Sequence, residues 1–312
     1  MPRDGSPRPA GGATPLMPMS IGEVADPPFA VLPSPSEIYD RRQKRFETLA
    51  PGHQLEPYLK FLAALCGAQH HVQEELRSPA LPTAERLEAA YSNAMPPLSI
   101  GSVDFGDDFD VCFTSLLSAL QAANNTPQTQ AAIDKAISLD AHGRRALANA
   151  LLLDEIPTDD VAVHILAAAA VQVYYSKMAA QLDASRLQRV SDSACPACGG
   201  APVASSIVGW EGAHGTRFCS CSICATQWNV VRIKCLMCGS EKGIGYHSLE
   251  GSSGTVSGET CESCKSYVKM LHQHKDPALD PLADDVASLA LDLTLQREGW
   301  KRASANPFLA GY

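Results

Sequence analysis

The chain has 312 residues, enough for about two domains. Its residues are 45% hydrophobic and 19% charged, and its formal net charge is −9, so it can bury a sizeable core and lacks the basic field that a general nucleic-acid binder needs. Eleven cysteines in a chain of this length indicate metal or redox chemistry in a reducing compartment rather than a secreted disulfide framework.

The N-terminal 35 residues are rich in proline, glycine and serine and show no hydrophobic periodicity. Residues 1–35 are therefore predicted to form a disordered leader. They contain no apolar stretch of a secretory signal, and the Arg41-Arg42 pair is not followed by the hydrophobic run of a twin-arginine signal. These features predict a cytoplasmic protein.

Residues 36–190 are predicted to form an all-helical domain, because apolar residues recur at helical spacing and alanine is abundant. Ser36 is the predicted N-cap of its first helix. The most apolar window, 161–175, is too short to span a bilayer and has charged residues close to both ends. We therefore predict a buried core helix there and no membrane insertion.

Residues 191–275 differ in character, with more glycine and serine and only short β-like runs at 203–208, 217–219, 228–233 and 246–249. Eight cysteines fall here in four CxxC pairs. Twenty-two residues lie between the first and second pairs and between the third and fourth, whereas ten lie between the second and third. This is an internal repeat with a period of forty residues. The pairs are Cys195/Cys198, Cys221/Cys224, Cys235/Cys238 and Cys261/Cys264.

Two cysteines at positions i and i+3 of a tight turn can offer both sulfurs to one tetrahedral ion, and a second such turn completes a four-cysteine site. We therefore predict two tandem metal modules, 195–224 and 235–264, each binding one ion through its four cysteines. Pairing of the second turn with the third across the modules stays open, although the equal spacers disfavour it. Tetrathiolate chemistry allows zinc or rubredoxin-type iron. A dithiol redox role is disfavoured because no βαβ pattern surrounds the pairs.

The residues next to the cysteines predict different turns. Gly199 and Gly239 follow the first pair of each module and predict sharp turns with positive φ, whereas the second pairs lack a glycine and predict looser turns. Because the modules are small, removal of metal is expected to unfold 191–275 and leave much of the helical domain.

The other residues able to carry chemistry have structural interpretations. Cys219, outside the pairs, is predicted to be a buried thiol, and Cys66 and Cys112 core residues. The acidic stretch 104–110 is predicted to be a solvated loop before a helix. Surface or capping roles are predicted for the remaining histidine pairs: His70, His71, His272 and His274. The chain contains no nucleophile elbow, phosphate-binding loop or zinc-protease motif, so no catalytic residue and no enzyme activity are predicted.

Residues 276–312 are predicted to form a C-terminal helix and tail, with Leu282, Val286, Leu289 and Leu293 on one stripe. The predicted fold class is thus an all-helical N-terminal domain, then tandem rubredoxin-like or zinc-ribbon-like CxxC modules with a small metal-stabilised β component, and a C-terminal helix.

The cysteine-rich part also resembles a known family. CPACGGAPVAS from Cys195, RFCSCSICATQWNVVRIKCLMCG from Arg217, ETCESCKSYVKML from Glu259 and KDPALDPLADDVASLALD from Lys275 resemble the formate dehydrogenase accessory proteins, the FdhE family. In the helical part the similarity is carried by GHQLEPYLKFLA from Gly52. The resemblance is specific over about the last 120 residues.

This resemblance implies a cytoplasmic maturation factor that binds the catalytic subunit of molybdenum-dependent, often selenocysteine-containing, formate dehydrogenases before their export. It also implies rubredoxin-like iron sites on the eight paired cysteines, which favours iron over zinc. It gives Cys219 no role, and it leaves open the maturation step, the partner-binding surface and the oligomeric state. Two other functions also stay open: a rubredoxin-like electron carrier and a zinc-ribbon nucleic-acid-binding module. The nucleic-acid module is disfavoured because the excess of basic over acidic residues in the cysteine-rich part is small.

Overall fold

The computed structural model describes residues 27–123 and 125–310. Most of the predicted leader, residues 1–26, lies outside this range. Within 27–35 the structure differs from the prediction, because Ala30–Val31 forms strand β1 and pairs with a strand of the cysteine-rich part. The first helix starts at Pro35 with Ser34, not Ser36, as its N-cap. A proline is favourable in this first turn, where its missing N–H costs nothing.

Seven α-helices form the N-terminal part of the described chain. Threonine or aspartate side chains cap the starts of α3, α5 and α6 and accept hydrogen bonds from main-chain N–H groups. Pro57 lies in the first turn of α2. The helices are α1 Pro35–Leu49, α2 Glu56–Glu75, α3 Ala84–Ser92, α4 Asp107–Gln121, α5 Pro127–Ser138, α6 Ala141–Leu152 and α7 Val161–Ala179.

Helix α7 is the centre of this helical part. Sixteen of its nineteen residues are buried, including polar Gln172 and Ser176. By length and composition alone, Thr158–Ala179 is apolar enough to cross a membrane, but 83% of that window is buried inside the protein. This burial confirms the predicted core helix, because a helix that is apolar on all sides can equally be the centre of a globular domain.

One eight-stranded sheet follows the helices. Its strands are β1, β2 Pro202–Ile207, β3 Arg217–Cys221, β4 Gln227–Val230, β5 Ile244–His247, β6 Val256–Cys261, β7 Ser266–Leu271 and β8 Lys301–Arg302. Their order is β1-β4-β3-β2-β7-β6-β5, and β8 pairs with β7. The repeat seen in the sequence is thus a structural repeat, since β2-β3-β4 and β5-β6-β7 are equivalent meanders. They meet at the parallel pair β2–β7, where Ser205 lies opposite Met270.

The C-terminal segment is helical, as predicted, but it is divided into two short helices. Helix α8, Pro281–Ala287, ends at Ser288, and α9, Leu289–Arg297, follows at once. The predicted stripe is broken accordingly, and Leu293 lies 42% exposed. Buried ion pairs from α1 hold the start of this segment, with Arg42 Nε 3.2 Å from Asp280 and Arg45 Nη2 2.7 Å from Asp284.

Candidate metal centres

The structure brings the eight paired cysteines together in two groups, each made within one sequence unit. Sγ of Cys195 lies 3.6 Å from Sγ of Cys224, and Sγ of Cys198 lies 3.4 Å from Sγ of Cys221. All four sulfurs lie within 4.8 Å of one another. We call this group the first site. Its composition agrees with pairing of the CxxC turns within a unit rather than across units.

The second site has the same construction. The sulfurs of Cys235 and Cys264 lie 3.6 Å apart, as do those of Cys238 and Cys261, and all four lie within 4.8 Å of one another. A tetrahedral ion with metal–sulfur bonds of about 2.3 Å places its sulfurs about 3.8 Å apart. A disulfide would need about 2.05 Å, and all of these cysteines are free. Both groups therefore have the spacing of a four-thiolate metal site.

All four CxxC turns have a residue with positive φ directly after the second cysteine. Gly199 and Gly239 have φ of 79° and 72°, as their sequence predicted, but Ala225 and Lys265 have φ of 60° and 55° in the second turns. The prediction of looser second turns was therefore wrong. Main-chain N–H groups of the second turn also approach a sulfur, since Ile223 N and Cys224 N each lie 3.4 Å from Cys221 Sγ.

A hydroxyl group lies beside the last cysteine of each site. Thr226 Oγ1 is 3.2 Å from Cys224 Sγ, and Ser266 Oγ is 2.9 Å from Cys264 Sγ. Sequence reasoning missed these residues, although a signal was present: CSICAT and CESCKS both carry a hydroxyl residue two positions after the cysteine.

The pKa values of the thiols show how these contacts favour one thiolate in each site. Burial acts to raise the pKa of Cys264, but hydrogen bonds from Ser266 and from Cys235 and Cys238 outweigh it and lower the pKa to about 7. Burial likewise opposes ionisation of Cys224, yet hydrogen bonds from the three neighbouring cysteines and Thr226 hold its pKa well below the usual range. Metal ions bind thiolates, so these contacts favour the form of the cysteines that a metal needs.

The helical part holds the first site from two sides. Leu98 N–H donates to Ala197 O (2.9 Å) and Ile100 N–H donates to Cys198 O (3.0 Å), which fixes the first turn. On α7, Gln172 Nε2 donates to Ser222 O (2.9 Å) and fixes the second turn. Sequence reasoning did not find Gln172, whose apolar neighbours gave no sign of this contact.

The two sites differ in their exposure. All four cysteines of the first site are buried in the same hydrophobic core as the helices. At the second site Cys238 is exposed and Cys264 is half-buried. A partner, solvent or a chelator therefore reaches the second site directly, whereas it reaches the first only if the core opens.

The structure leaves the other candidate residues out of both four-cysteine groups. Cys219, Cys66 and Cys112 are fully buried, as predicted. The acidic stretch largely forms the first turn of α4, where Asp110 pairs with Arg144 and Asp107 with Arg145. His70 and His71 lie on α2 near Glu74 and Glu75, while His272 and His274 follow β7.

Comparisons with known proteins agree with this architecture. The family models that match the chain are FdhE, N-terminal, over residues 27–192; FdhE, central domain, over 194–232; and FdhE, C-terminal domain, over 233–309. The boundary between the last two models falls between the two sites.

Curated relatives match over almost their whole length. A protein FdhE homolog of Rhizobium meliloti is 40% identical over 95% of this chain and 97% of its own, and one of Edwardsiella ictaluri is 34% identical over 89% and 90%. The crystal structure of the FdhE protein from Pseudomonas aeruginosa superposes with a TM-score of 0.80 at 34% identity, over 91% of this chain and 99% of that one. On these similarities, and with the two four-cysteine groups in place, the chain belongs to the FdhE family.

Proposed function

We propose that this protein is a cytoplasmic, non-catalytic accessory factor that binds the catalytic subunit of a molybdenum- and selenocysteine-containing formate dehydrogenase and is needed for production of the active enzyme. Membership of the FdhE family implies the accessory role. The observation that carries the proposal is the pair of four-sulfur groups, one buried and one open to the surface.

Each site is proposed to bind one metal ion. The ligands are Cys195, Cys198, Cys221 and Cys224 in the first site, and Cys235, Cys238, Cys261 and Cys264 in the second. Iron is favoured by the family resemblance, and zinc is the alternative that the same sulfurs accept. Either metal would stabilise the fold. Iron would in addition allow one-electron chemistry, whereas zinc would not.

The surface around the second site is the proposed contact with the partner. Val231, Ile233, Met237 and Tyr246 are each about half exposed, and we call these four residues with Cys238 the second-site face. Arg217 brings them together, since it bonds the linker carbonyls of Arg232 and Lys234 and the Glu259 carboxylate that accepts from Tyr246. A cluster of exposed apolar side chains is typical of a protein–protein contact.

The exposed sulfur of Cys238 also favours a second candidate function, an electron carrier with a rubredoxin-like iron in the second site. That function needs a reversible one-electron couple and no lasting complex with formate dehydrogenase. The accessory role needs the complex and does not need the couple, so the two candidates predict different measurements.

The metal is tested by purifying the full chain without oxygen and measuring its elements and visible spectrum. Two irons per chain, with sulfur-to-iron charge-transfer bands after oxidation, are expected. If the protein is colourless and contains two zinc ions per chain, the proposed metal is zinc and not iron. A chain that binds neither metal would overturn the assignment of both sites.

The partner is tested in a strain that lacks this protein. The intact chain is expected to restore formate dehydrogenase activity and to co-purify with the catalytic subunit. Ile233→Asp, on the second-site face, is expected to abolish both. Val111→Asp is the matched control, because Val111 is equally exposed on α4, away from the second-site face. Undiminished enzyme activity in the strain without the protein would refute the accessory role.

A further inference from the structure

The sheet topology brings three loops to one edge. Strand β2 runs parallel to β7, and β3 runs antiparallel to both β2 and β4, so β2, β4 and β7 all point the same way. The loops that follow these three strands therefore start at the same edge of the sheet. This edge carries several basic residues that neither metal site uses.

Five basic side chains gather there. His214 comes from the loop after β2, Arg232 from the loop after β4, and His272, His274 and Lys275 from the loop after β7. We call them the carboxyl-end cluster. The rings of His272 and His274 have centroids 5.5 Å apart, and those of His214 and His274 are 6.3 Å apart. Arg232 Nη1 donates to Gly215 O (3.4 Å), so its guanidinium lies beside His214.

Backbone contacts hold this arrangement in place. His274 N–H donates to Ile207 O (3.1 Å), and His272 N–H donates to Thr255 O (2.8 Å). Gly209 lies against His274 so closely that a Cβ at this position would be 3.1 Å from the His274 Cα. The two loops therefore pack directly on each other, and the histidines are carried by a fixed backbone.

The cluster is only partly provided with partners: His272 Nε2 lies 3.3 Å from Ser257 Oγ, but other polar atoms have no such contact. The Nδ1 atoms of His272 and His274 are buried and have no hydrogen-bond partner in the described structure. Neighbouring basic residues form ion pairs with carboxylates. Within residues 27–123 and 125–310, Arg232 and Lys275 form none. Burial, then the charges of Lys275, His274 and Arg232, lower the pKa of His272, and no carboxylate contributes. The cluster therefore combines two permanent positive charges with buried ring nitrogens that lack a partner.

An anion suits the cluster better than a metal ion. Two permanent positive charges would repel a cation. Moreover, the described residues bring three or more potential ligand atoms within 4.8 Å of one another only in the two cysteine groups. Tetrahedral oxyanions have oxygens that point in several directions, so donors from three loops can each reach one. A carboxylate has two oxygens in one plane and would use fewer of these donors.

We propose that the carboxyl-end cluster binds a phosphate group, with the Arg232 guanidinium and the imidazoles of His272 and His274 as its principal donors. The site is separate from both metal centres and does not depend on the proposed accessory function. Arginine provides a planar fork of donors for phosphate oxygens, and imidazole N–H groups complete the set.

The proposal is tested by titration calorimetry of the full, metal-loaded chain with inorganic phosphate, with AMP and with acetate. One phosphate per chain is expected to bind. The affinity for phosphate is expected to be lower by about tenfold or more in Arg232→Gln. Arg41→Gln, at an exposed arginine of α1, is expected to leave the affinity unchanged. If AMP binds with the same dependence on Arg232, the natural ligand carries its phosphate on a nucleotide; if only inorganic phosphate binds, the ligand is free phosphate.

Three results would overturn the proposal: no saturable binding of either phosphate compound, equal loss of affinity in both arginine variants, or acetate binding as tight as phosphate binding. Metal content and far-UV circular dichroism are measured on each variant. Both are expected to be unchanged in Arg232→Gln, because the side chain is exposed and its contact in the described structure is one long hydrogen bond. Failure of phosphate binding is thereby separated from failure of the metal sites.

Discussion

The Arg217 guanidinium lies 2.8 Å from the Glu259 carboxylate, and both side chains are buried. Arg217 belongs to β3 of the first unit and Glu259 to β6 of the second. The same guanidinium donates to the carbonyls of Arg232 and Lys234 in the linker between the units. One side chain therefore fixes the two metal sites relative to each other, and burial raises the pKa of Glu259 even though Arg217 acts to lower it.

Removal of Arg217 alone should be costly. Arg217→Met leaves the Glu259 carboxylate buried without its partner, and we expect the free energy of unfolding to fall by about 3–5 kcal/mol, measured by urea denaturation. The double variant Arg217→Met/Glu259→Leu should be more stable than Arg217→Met, because it also removes the unpaired charge. Loss of the exposed pair Lys44–Asp40 is the control and should cost little. A double variant less stable than Arg217→Met would contradict this account.

The difference in burial between the sites predicts two phases of metal release. With excess chelator, about one metal per chain should leave quickly from the second site, where Cys238 is exposed. The other should leave slowly, because the first site lies inside the hydrophobic core. Absorbance of a metal-indicator dye follows both phases. Cys261→Ala/Cys264→Ala, which lacks the second site, should show only the slow phase; a single phase in the intact chain would contradict the expected difference.

The slow phase should also be accompanied by loss of helix. From sequence, removal of metal was expected to unfold 191–275 and leave the helical domain. The core that surrounds the first site is shared with helices such as α2 and α7, however, through residues including Leu62 and Val171. The helical circular dichroism signal at 222 nm should therefore stay nearly constant while the second site loses its metal. It should weaken when the first site loses its metal.

Gly200 is predicted to control the geometry of the first site. A Cβ at this position would lie 3.3 Å from the sulfurs of both Cys198 and Cys221 and from Ile223 Cγ1. We expect Gly200→Ala to displace the sulfurs and weaken metal binding at the first site, which competition with a chelator measures. Gly101→Ala is the control, since a Cβ there meets no atom within 4 Å. Equal metal affinity in the two variants would show that the sulfurs adapt.

Much of the candidate site could be predicted because cysteine spacing is local information. The equal spacers predict, for example, that Cys195 and Cys224 share one site, and the structure places their sulfurs 3.6 Å apart. The difference in burial between the sites could not be predicted, because it depends on which unit packs against the helices. The contact of Gln172 with Ser222 joins residues fifty positions apart and has no local pattern.

The fold was predictable to a similar degree. The helical and cysteine-rich parts were recognised from periodicity, but β6 and β7 were missed. Strand β6, Val256–Cys261, contains a glycine and few β-branched residues, so its propensity is weak. It forms because it lies between β5 and β7 in the sheet. The C-terminal helix was predicted, but its division at Ser288 was not, because the hydrophobic spacing continues across Ser288 although its backbone leaves the helical conformation.

The positive φ at Ala225 leads to the last prediction. A non-glycine residue in the left-handed region costs about 1–2 kcal/mol, whereas glycine adopts it freely but loses about 0.5–1 kcal/mol of chain entropy on folding. Ala225→Gly should therefore raise the free energy of unfolding by up to about 1 kcal/mol. Gly239→Ala, at φ 72° directly after the first cysteine pair of the second site, should lower it by a similar amount.

Urea denaturation of the metal-loaded protein measures both changes. The two substitutions are reciprocal, so a shift of both in the same direction would show that packing around the turns, rather than the backbone conformation, decides their stability. Opposite shifts would show that both turns require the left-handed conformation, and that this chain keeps alanine at position 225 at the expense of stability.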